Sequence, residues 1–264
     1  MRRRALPATA TESAIVRRRL DTALVDRGLA PSRTAAAALI DQRWVLVNGA
    51  VADKAARQVA AGDALIVEGP PARYVGRGGI KLEGALRRFD IDVHGRHALD
   101  VGASTGGFTD CLLQHGAASV VALDVGHGQL HERLRGDHRV TNLERQNIRH
   151  TTVDDLGTRV DLIVGDLSFI SLRLVIPVLV ELCEPGGEMV LLVKPQFEAG
   201  RAEVSRGRGV ITDSVIHDRV RTEIDQAIRA VGCTVAGWMS SPITGADGNR
   251  EFLVHIHTPQ AGDR

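Results

Sequence analysis

The glycine-rich turn Asp100-Val-Gly-Ala-Ser-Thr-Gly-Gly-Phe108 constrains the fold more than any other stretch of this sequence. An apolar run at residues 97–101 enters the turn, and a helix-compatible segment follows it. An acid at the end of a buried strand, followed by glycines and a helix N-terminus, is a typical place to hold a nucleotide-like cofactor. The pattern on its own is also compatible with an ordinary tight turn.

The residues around the turn favour one class of cofactor. Gly102, Gly106 and Gly107 do not have the G-x-G-x-x-G spacing of dinucleotide enzymes. Asp100 would repel phosphates but can pair with a cationic amino-acid group, as in S-adenosylmethionine. Asp124 ends a second apolar run, where a carboxylate can accept both ribose hydroxyls of an adenosine. The predicted cofactor-binding residues are Asp100, Gly102, Ser104, Thr105, Gly106, Gly107, Phe108 and Asp124.

Strand and helix patterns alternate from residue 97 onward, as a parallel sheet covered on both faces requires. The predicted strands are 97–101, 119–123, 139–142, 160–165, 188–193, 234–239 and 252–257. The predicted helices are 80–89, 107–115, 172–182 and 214–231. No helix separates the last two strands, so they run antiparallel if they pair. The pattern predicts an α/β fold, a doubly wound Rossmann-like sheet with one antiparallel strand, typical of S-adenosylmethionine methyltransferases. Periodicity alone does not exclude a dehydrogenase.

The charge of the chain is unevenly distributed. The whole chain of 264 residues has a net charge of +1, but residues 1–75 carry +5 and the remainder carries −4. A small basic part beside a larger acidic one indicates a polyanion-binding module attached to a catalytic body. The arginines at 17–19 could equally form the solvated face of a helix.

Other features narrow the compartment and the class of protein. The three cysteines, Cys111, Cys183 and Cys233, form no C-x-x-C pair, so neither a zinc cluster nor a disulfide framework is expected. We expect a reducing cytoplasm. The N-terminal arginines are not followed by the apolar region of a signal peptide. The apolar stretch at 174–183 is shorter than the roughly 20 residues of a membrane helix, so no membrane partner is expected.

The basic part has a recognisable order of elements. The pattern predicts helices at 19–27 and 33–42, a hairpin whose turn is Asn48-Gly49, and a strand at 63–67. This order resembles the small α+β RNA-binding domain that a small-subunit ribosomal protein shares with pseudouridine synthases and tyrosyl-tRNA synthetases. The residues that carry the resemblance are Arg19-Leu20-Asp21, Gly28, Ser32-Arg33, Ala36, Ile40, Val45-x-Val47-Asn48-Gly49, Val59 and Gly62-Asp63. It implies phosphate contacts from Arg18, Arg19, Arg33 and Arg43.

Four polar residues of the larger part need a chemical explanation: Lys81, Asp166, Lys194 and Glu251. Ligands of doubly wound sheets bind beyond the carboxyl ends of the parallel strands, which places Asp166 and Lys194 at the mouth that Asp100 occupies. A lysine after the apolar run 189–193 could also snorkel from the strand end to solvent.

These four residues suit methyl transfer to a ribose 2′-hydroxyl. That oxygen is a weak nucleophile at neutral pH, and a lysine can accept its proton when the lysine pKa, ordinarily about 10.4, is lowered by burial or by a second lysine. Lys194 is the candidate base and Asp166 would orient it. Lys81 and Glu251 would position the ribose.

The same residues resemble the Lys-Asp-Lys-Glu tetrad of FtsJ-like ribose methyltransferases. Five phrases are similar to the TlyA branch of that family: Gly-Gly-Ile-Lys81-Leu, Asp124-Val-Gly-His-Gly-Gln-Leu130, Asp166-Leu-Ser-Phe-Ile-Ser171, Val193-Lys-Pro-Gln-Phe-Glu198 and Gly248-Asn-Arg-Glu251-Phe. The resemblance spans residues 17–257. It implies 2′-O-methylation of cytidine in ribosomal RNA, within the small or large ribosomal subunit, and many members carry the older label of haemolysin.

The resemblance also implies a division of the chain. We predict a basic tail at 1–16, the RNA-binding domain at 17–68, a linker at 69–76 marked by Pro70 and Pro71, and the methyltransferase domain at 77–264. Two rival classes remain open, a membrane-lysing protein and a non-catalytic RNA-binding factor.

Two further groups of residues have less specific patterns. Three arginines accompany glycines after the candidate catalytic strand, and this predicted loop could contact the RNA backbone or be a solvated linker. These arginines are Arg201, Arg206 and Arg208. His255 and His257 share one face of a predicted strand, but the sequence indicates no third ligand, so no metal site is predicted.

Overall fold

The computed structural model describes residues 17–69, 73–207, 209–245 and 247–262. The chain divides into two compact units, with the boundary between residues 72 and 73. The predicted tail at 1–16 and the two prolines of the predicted linker lie outside the described residues. Within the described part of the chain, no helix combines the length and the apolar character needed to cross a membrane.

The first unit contains two helices and five short strands within its described residues. The helices are α1 Leu20–Asp26 and α2 Arg33–Asp41. The strands are β1 Arg17–Arg19, β2 Val45–Val47, β3 Ala50–Val51, β4 Gln58–Ala60 and β5 Leu65–Val67. Strand β2 pairs antiparallel with β3 and β5, and β1 pairs antiparallel with β4. Apolar residues of both helices, among them Leu24 and Ile40, pack in one cluster with Val45 of β2.

The predicted hairpin of the first unit is confirmed. Asn48 and Gly49 have φ angles of 53° and 79°, the combination that the two central residues of a type I′ turn adopt. The last strand begins at Leu65 rather than at the predicted Asp63. The Asp63 carboxylate accepts hydrogen bonds from the Ala60 amide and from Asn48 Nδ2, so this residue closes a turn instead of extending the strand.

The start of the first unit differs from the prediction. The residues 17–19 lie in strand β1 instead of on a helix, and α1 begins one residue later than predicted, at Leu20. Neither β1 nor its partner β4 was predicted. Three consecutive arginines have no alternation of polar and apolar residues, which is the pattern that identifies a strand from sequence.

The second unit contains a seven-stranded sheet among the described residues. The strands are β6 His97–Val101, β7 Ser119–Asp124, β8 Val140–Glu144, β9 Val160–Gly165, β10 Cys183–Val193, β11 Thr234–Ser240 and β12 Phe252–His257. The helices are α3 Gly78–Phe89, α4 Gly107–Gln114, α5 Glu132–Arg135, α6 Val153–Leu156, α7 Ile176–Leu182, α8 Pro195–Glu198, α9 Arg201–Arg206 and α10 Ser214–Ala230.

The order of the strands in this sheet is β11-β12-β10-β9-β6-β7-β8. Strand β12 runs antiparallel to both of its neighbours, and the pairs from β10 to β8 are parallel. Side chains such as Leu191 and Val193 pack on one face with α7 and α10. Val190 and Leu192 pack on the other face with α3 and α4. The predicted doubly wound sheet with one antiparallel strand is therefore confirmed.

Two of the segments predicted around the sheet have a different structure. The predicted helix at 172–182 is split into a 3-10 turn, Leu172–Leu174, and helix α7 from Ile176. Pro177 has no amide hydrogen to donate, so it suits the first turn of a helix and not its interior. The predicted loop that carries Arg201 and Arg206 forms the short helix α9, while Arg208 lies outside the described residues.

Candidate active site

The glycine turn after β6 folds so that its backbone comes close to two neighbouring segments. Gly102 has a φ of 81°, and a Cβ atom there would lie 3.0 Å from the Asp166 carbonyl oxygen. A Cβ atom on Gly107 would lie 3.0 Å from the Gly79 amide nitrogen at the start of α3. These approaches require glycine. They bring the loops after β6 and β9 and the start of α3 around one cavity.

Asp100 is a completely buried carboxylate at the end of β6. Its Oδ2 atom accepts hydrogen bonds from the Thr109 amide at 2.9 Å and from the Thr109 hydroxyl at 2.7 Å. Its Oδ1 atom is buried and has no hydrogen-bond partner among the described residues. Burial raises the pKa of Asp100 to about 7, although the two bonds from Thr109 favour the ionised form. A cationic ligand group would satisfy the remaining oxygen.

Two adjoining cavities open at the glycine turn, and Asp100 lines the first of them. The first has a volume of about 310 Å³, and the second, about 710 Å³, shares Gly102, Ser104, Asp166 and Ser168 with it. Of the predicted cofactor residues, Asp124 contacts the second cavity, and most of the others contact the first: Asp100, Gly102, Ser104, Thr105, Gly107 and Phe108. Gly106 lies behind the turn instead, where a Cβ atom would clash with the side chains of Leu130 and Leu134.

The Asp124 carboxylate is held by backbone amides at the edge of the second cavity. Its Oδ2 atom accepts a hydrogen bond from the Ser104 amide at 2.8 Å, and its Oδ1 atom accepts one from the Gly126 amide at 2.7 Å. Each carboxylate oxygen can accept a second bond. The geometry therefore leaves acceptor positions for the two hydroxyls of a ribose.

The four predicted catalytic residues come together at the first cavity. Lys194 Nζ lies 2.6 Å from Asp166 Oδ1, and Lys81 Nζ lies 2.6 Å from Glu251 Oε2. A contact of 3.6 Å between Lys81 Nζ and Asp166 Oδ2 connects the two pairs. Asp166 Oδ1 and Glu251 Oε2 accept no well-aligned hydrogen bond from the described residues, so these contacts are ion pairs rather than hydrogen bonds.

Different elements supply the four side chains. Lys81 lies in the first turn of α3, Asp166 follows β9, Lys194 follows β10 and Glu251 precedes β12. Because β12 is antiparallel to β10, the residue before its first position lies at the same end of the sheet as the residue after β10. Lys81, Lys194 and Glu251 are buried. The reversed strand thus brings Glu251 to the carboxyl ends of the parallel strands.

Ser168 and Phe169 are parts of this site to which the sequence analysis assigned no role. The Lys194 ammonium donates a hydrogen bond to Ser168 Oγ at 2.8 Å. The Phe169 side chain is 91% exposed, and this residue has a φ of 63°, which is unusual for an aromatic residue. Its ring centroid lies 5.1 Å from that of Phe197, and Lys194 Nζ lies 5.7 Å from the Phe197 ring. An aromatic surface therefore adjoins the candidate base.

Glu198 connects the two loops that carry the central pair of the site. This carboxylate lies at the end of α8, just beyond Lys194, and is buried. It accepts hydrogen bonds from Ser171 Oγ at 2.5 Å and from the Leu172 amide at 2.7 Å, in the segment that follows Asp166. Burial raises the pKa of Glu198. The only indication in the sequence was that Glu198 ends one of the five segments that resemble the TlyA branch.

The predicted phosphate contacts of the first unit lie beside carboxylates. Arg19 donates two hydrogen bonds to Asp21, and Arg33 donates one to the same carboxylate at 2.8 Å. The Arg19 guanidinium holds the pKa of Asp21 well below its usual range, with Arg33 assisting. Arg18 pairs with Asp26 at 2.5 Å. These arginine side chains remain substantially exposed, so their outer faces can still meet phosphates.

The remaining predicted RNA contacts are less fully described. Arg43 has a φ of 61° at the end of the turn after α2 and is exposed. Arg201 and Arg206 are the first and last residues of α9. The roles of all these arginines stay predictions.

The sequence pattern of one protein family covers most of the second unit. The pattern of the FtsJ-like methyltransferases matches residues 74–258. The chain belongs to the FtsJ-like methyltransferase family. The pattern of the S4 domain matches residues 18–65, which confirms the predicted resemblance of the basic part. The family match favours a methyltransferase over the two rival classes, a membrane-lysing protein and a non-catalytic RNA-binding factor.

Individual relatives support the same placement of this FtsJ-like methyltransferase. It is 47% identical, over 92% of its length and 90% of the relative, to the 16S/23S rRNA (cytidine-2′-O)-methyltransferase TlyA of Mycobacterium tuberculosis H37Rv. A solved structure of a hemolysin candidate from Streptococcus thermophilus has 40% identity and a TM-score of 0.73, covering 94% of this chain and 92% of the other.

A more distant structure shares the fold alone. An S-adenosylmethionine-dependent methyltransferase from Listeria monocytogenes has 17% identity and a TM-score of 0.52, covering 70% of this chain and the whole of the other. The sheet of this FtsJ-like methyltransferase is therefore that of S-adenosylmethionine-dependent methyltransferases.

Proposed function

We propose that this FtsJ-like methyltransferase transfers a methyl group from S-adenosylmethionine to the 2′-hydroxyl of a cytidine in ribosomal RNA. The observation that carries the proposal is the cluster of two lysines and two carboxylates at the first cavity. The relative from M. tuberculosis, with 47% identity, bears the name of that activity. A ribose hydroxyl needs a base and a positioning network, which this cluster can supply.

The residues around the two cavities fit S-adenosylmethionine. The unpartnered Asp100 Oδ1 atom suits the ammonium of its amino-acid part, and Asp124 suits the ribose of its adenosine. Each of the two cavities falls within the usual size range of cofactor sites. When bound, the sulfonium supplies a methyl group that is already activated for transfer.

The two lysines and the two carboxylates have different roles in the proposed reaction. Lys194 would accept the proton of the 2′-hydroxyl after its ammonium has released a proton to solvent, and the oxygen would take the methyl group that S-adenosylmethionine supplies. Asp166 and Ser168 orient Lys194 through contacts of 2.6 and 2.8 Å. The Lys81–Glu251 pair holds the ribose from the other side. Placing the hydroxyl in line with the methyl group supplies a large part of the rate enhancement.

The exposed aromatic ring beside the cluster fits a target nucleotide turned out of its helix. A ribose inside structured RNA is hard to reach, and enzymes that modify nucleotides often extrude them and stack the base on an aromatic side chain. Phe169 is 91% exposed and its ring packs beside the Phe197 ring, so it offers such a surface. We propose that the target cytosine stacks on Phe169.

The S4 domain supplies the second contact with RNA. Phosphate contacts fix the position of a protein on a nucleic acid, whereas the chemistry is local to one nucleotide. Arg18, Arg19, Arg33 and Arg43 are the proposed phosphate contacts, joined by Arg201, Arg206 and Arg208 of the second unit. The three cysteines are buried and form no disulfide among the described residues, which is compatible with a reducing cytoplasm, where we place the reaction.

The proposal is tested by transfer of labelled methyl from S-adenosylmethionine to separated ribosomal subunits that lack the modification. We expect label in the RNA of the small subunit, the large subunit or both, and about a hundredfold less with Asp166→Asn, which loosens the positioning of Lys194. Cofactor binding without transfer to either subunit would contradict the proposed substrate. That result would not change the assignment of the chain to the FtsJ-like methyltransferase family.

A further inference from the structure

Three potential metal ligands meet at the opposite end of the sheet from the candidate active site. Glu188 lies directly across from His257 in the pairing of β10 with β12, and His255 lies two residues from His257 on the same face. One ligand atom of each residue lies within 4.8 Å of the others. The sequence showed only the two histidines. Glu188 is the third ligand that the sequence argument lacked.

Small side-chain movements would bring the three ligand atoms to the separations of a metal site. Two ligands of a tetrahedral ion, each bound at about 2.0–2.1 Å, are about 3.4 Å apart. His255 Nε2 lies 2.6 Å from Glu188 Oε2, a hydrogen-bond contact that must open by about 0.8 Å to admit an ion. The two imidazole centroids are 4.7 Å apart. His257 is exposed, so a small rotation of its side chain can close the remaining distance.

Neighbouring residues hold Glu188 and His255 in place, and a cavity opens beside the two histidines. Arg96 lies 2.6 Å from Glu188 Oε1, the oxygen that does not contact His255. The Phe89 ring packs 5.2 Å from the buried His255 ring. A cavity of about 350 Å³ adjoins both histidines. A metal ion there would have three protein ligands, an outer partner for the carboxylate and room for water or a fourth ligand.

We propose that Glu188, His255 and His257 bind a divalent transition-metal ion. Two imidazole nitrogens and one carboxylate oxygen suit Zn²⁺, Co²⁺, Ni²⁺ or Cu²⁺, whereas Mg²⁺ and Ca²⁺ prefer oxygen ligands alone. The ion takes the place of the hydrogen that His255 and Glu188 share. It joins β10 to β12, so it stabilises the pairing that also holds Glu251 beside Lys194.

The test uses the full-length chain without an affinity tag, freed of metal by a chelator that is then removed. Binding of Zn²⁺ is measured by competition with a fluorescent chelator, and Co²⁺ is added as a spectroscopic probe. We expect one Zn²⁺ per chain and Co²⁺ absorption bands of a nitrogen- and oxygen-coordinated site, without the thiolate band that a cysteine ligand would give.

Two variants make the result specific. His257→Gln removes an exposed ligand, so it is expected to fold, and it should weaken Zn²⁺ binding at least tenfold. His138→Gln is the matched control, because this histidine side chain is 92% exposed and remote in sequence, and it should leave binding unchanged. The proposal would be overturned if His257→Gln and the unsubstituted chain bound Zn²⁺ with equal affinity. It would also be overturned if the unsubstituted chain bound no Zn²⁺ at about 0.1 mM.

Discussion

The Nζ atom of Lys194 lies 2.6 Å from the Oδ1 atom of Asp166, and both side chains face the cavity beside the glycine turn. The lysine therefore has a fixed direction before any substrate arrives. Since Lys81 and Glu251 form a second pair in contact with the first, two positive and two negative groups share one small site. Such an arrangement can position a hydroxyl and accept its proton.

Loss of the Lys194 amine should remove most of the chemical step. Lys194→Met keeps the length and packing of the side chain but cannot accept a proton, so we expect methyl transfer to fall by about 10²- to 10⁴-fold. The affinity for S-adenosylmethionine should change little. Single-turnover methyl transfer measures the first quantity and calorimetry the second. Lys54→Met, at an exposed position, is the control. A Lys194→Met enzyme with more than a tenth of normal transfer would show that another group is the base.

Cofactor affinity should rise with pH through the pKa of Asp100. Burial raises this pKa to about 7, and only the ionised carboxylate attracts the ammonium of S-adenosylmethionine. At pH 6 most of this group is protonated, and at pH 8 most of it is ionised. Part of the ligand's α-ammonium is itself deprotonated at pH 8, so we expect calorimetry to give about fourfold tighter binding at pH 8 than at pH 6.

Two substitutions control the experiment on Asp100. Asp100→Asn should bind the cofactor weakly and show no such rise with pH. Asp154→Asn, at an exposed position, should behave like the unsubstituted chain. Binding of the unsubstituted chain that is constant from pH 6 to 8, or tighter at low pH, would exclude Asp100 as the partner of the ammonium.

Phe169 should affect RNA and not the cofactor. Stacking of a base on an aromatic ring contributes about 1–3 kcal/mol, so Phe169→Ala should weaken the use of RNA by about 5- to 150-fold, and Phe169→Tyr should retain it. Val215→Ala removes an exposed apolar side chain from α10 and is the control. A change in cofactor affinity with unchanged use of RNA would assign the ring to the cofactor instead.

Flipping of the target can be followed directly in the same variants. A 2-aminopurine placed beside the target nucleotide should gain fluorescence when the unsubstituted enzyme binds. The gain should be smaller with Phe169→Ala. Fluorescence that does not change on binding would contradict the flipped nucleotide.

Glu198 should position the segment after Asp166 without touching substrate. Glu198→Ala leaves the Leu172 amide without its acceptor in a buried place, which costs about 1–3 kcal/mol of stability. It should also lower the rate constant of methyl transfer more than it raises the KM for RNA. Glu198→Gln keeps an acceptor oxygen and should recover much of both. Thermal unfolding and steady-state kinetics, with the exposed Glu181→Ala as the control, decide the point. Equal rates for Glu198→Ala and the unsubstituted enzyme would exclude this role.

The sequence was sufficient for the sheet and for two members of the cluster. Alternating apolar strands and helices predicted the doubly wound sheet, and the rule that ligands bind beyond the carboxyl ends of the strands placed Asp166 and Lys194 together. The topology did not place Lys81 and Glu251, which entered the candidate site through the chemistry of ribose methylation and the family resemblance. Periodicity does not tell where an antiparallel strand enters a sheet, and this entry decides the position of Glu251.

Features that depend on strand register or on short segments could not be predicted. Glu188 meets His255 across 67 residues of sequence, and only the pairing of β10 with β12 brings them together. Strands β1 and β4 have three residues each, too few for a clear alternation. Phe169 lies in a loop, where exposure follows from the backbone conformation and not from a repeating pattern.

The proposed acceptor is a ribose oxygen of cytidine, and the chemical identity of the methylated nucleoside reveals whether it is. Ribosomal RNA methylated by the purified enzyme is digested to nucleosides and analysed by mass spectrometry against synthetic standards. We expect 2′-O-methylcytidine, formed by the unsubstituted enzyme and lost with Lys194→Met. Methyl groups on a base, or on the ribose of another nucleoside alone, would contradict it.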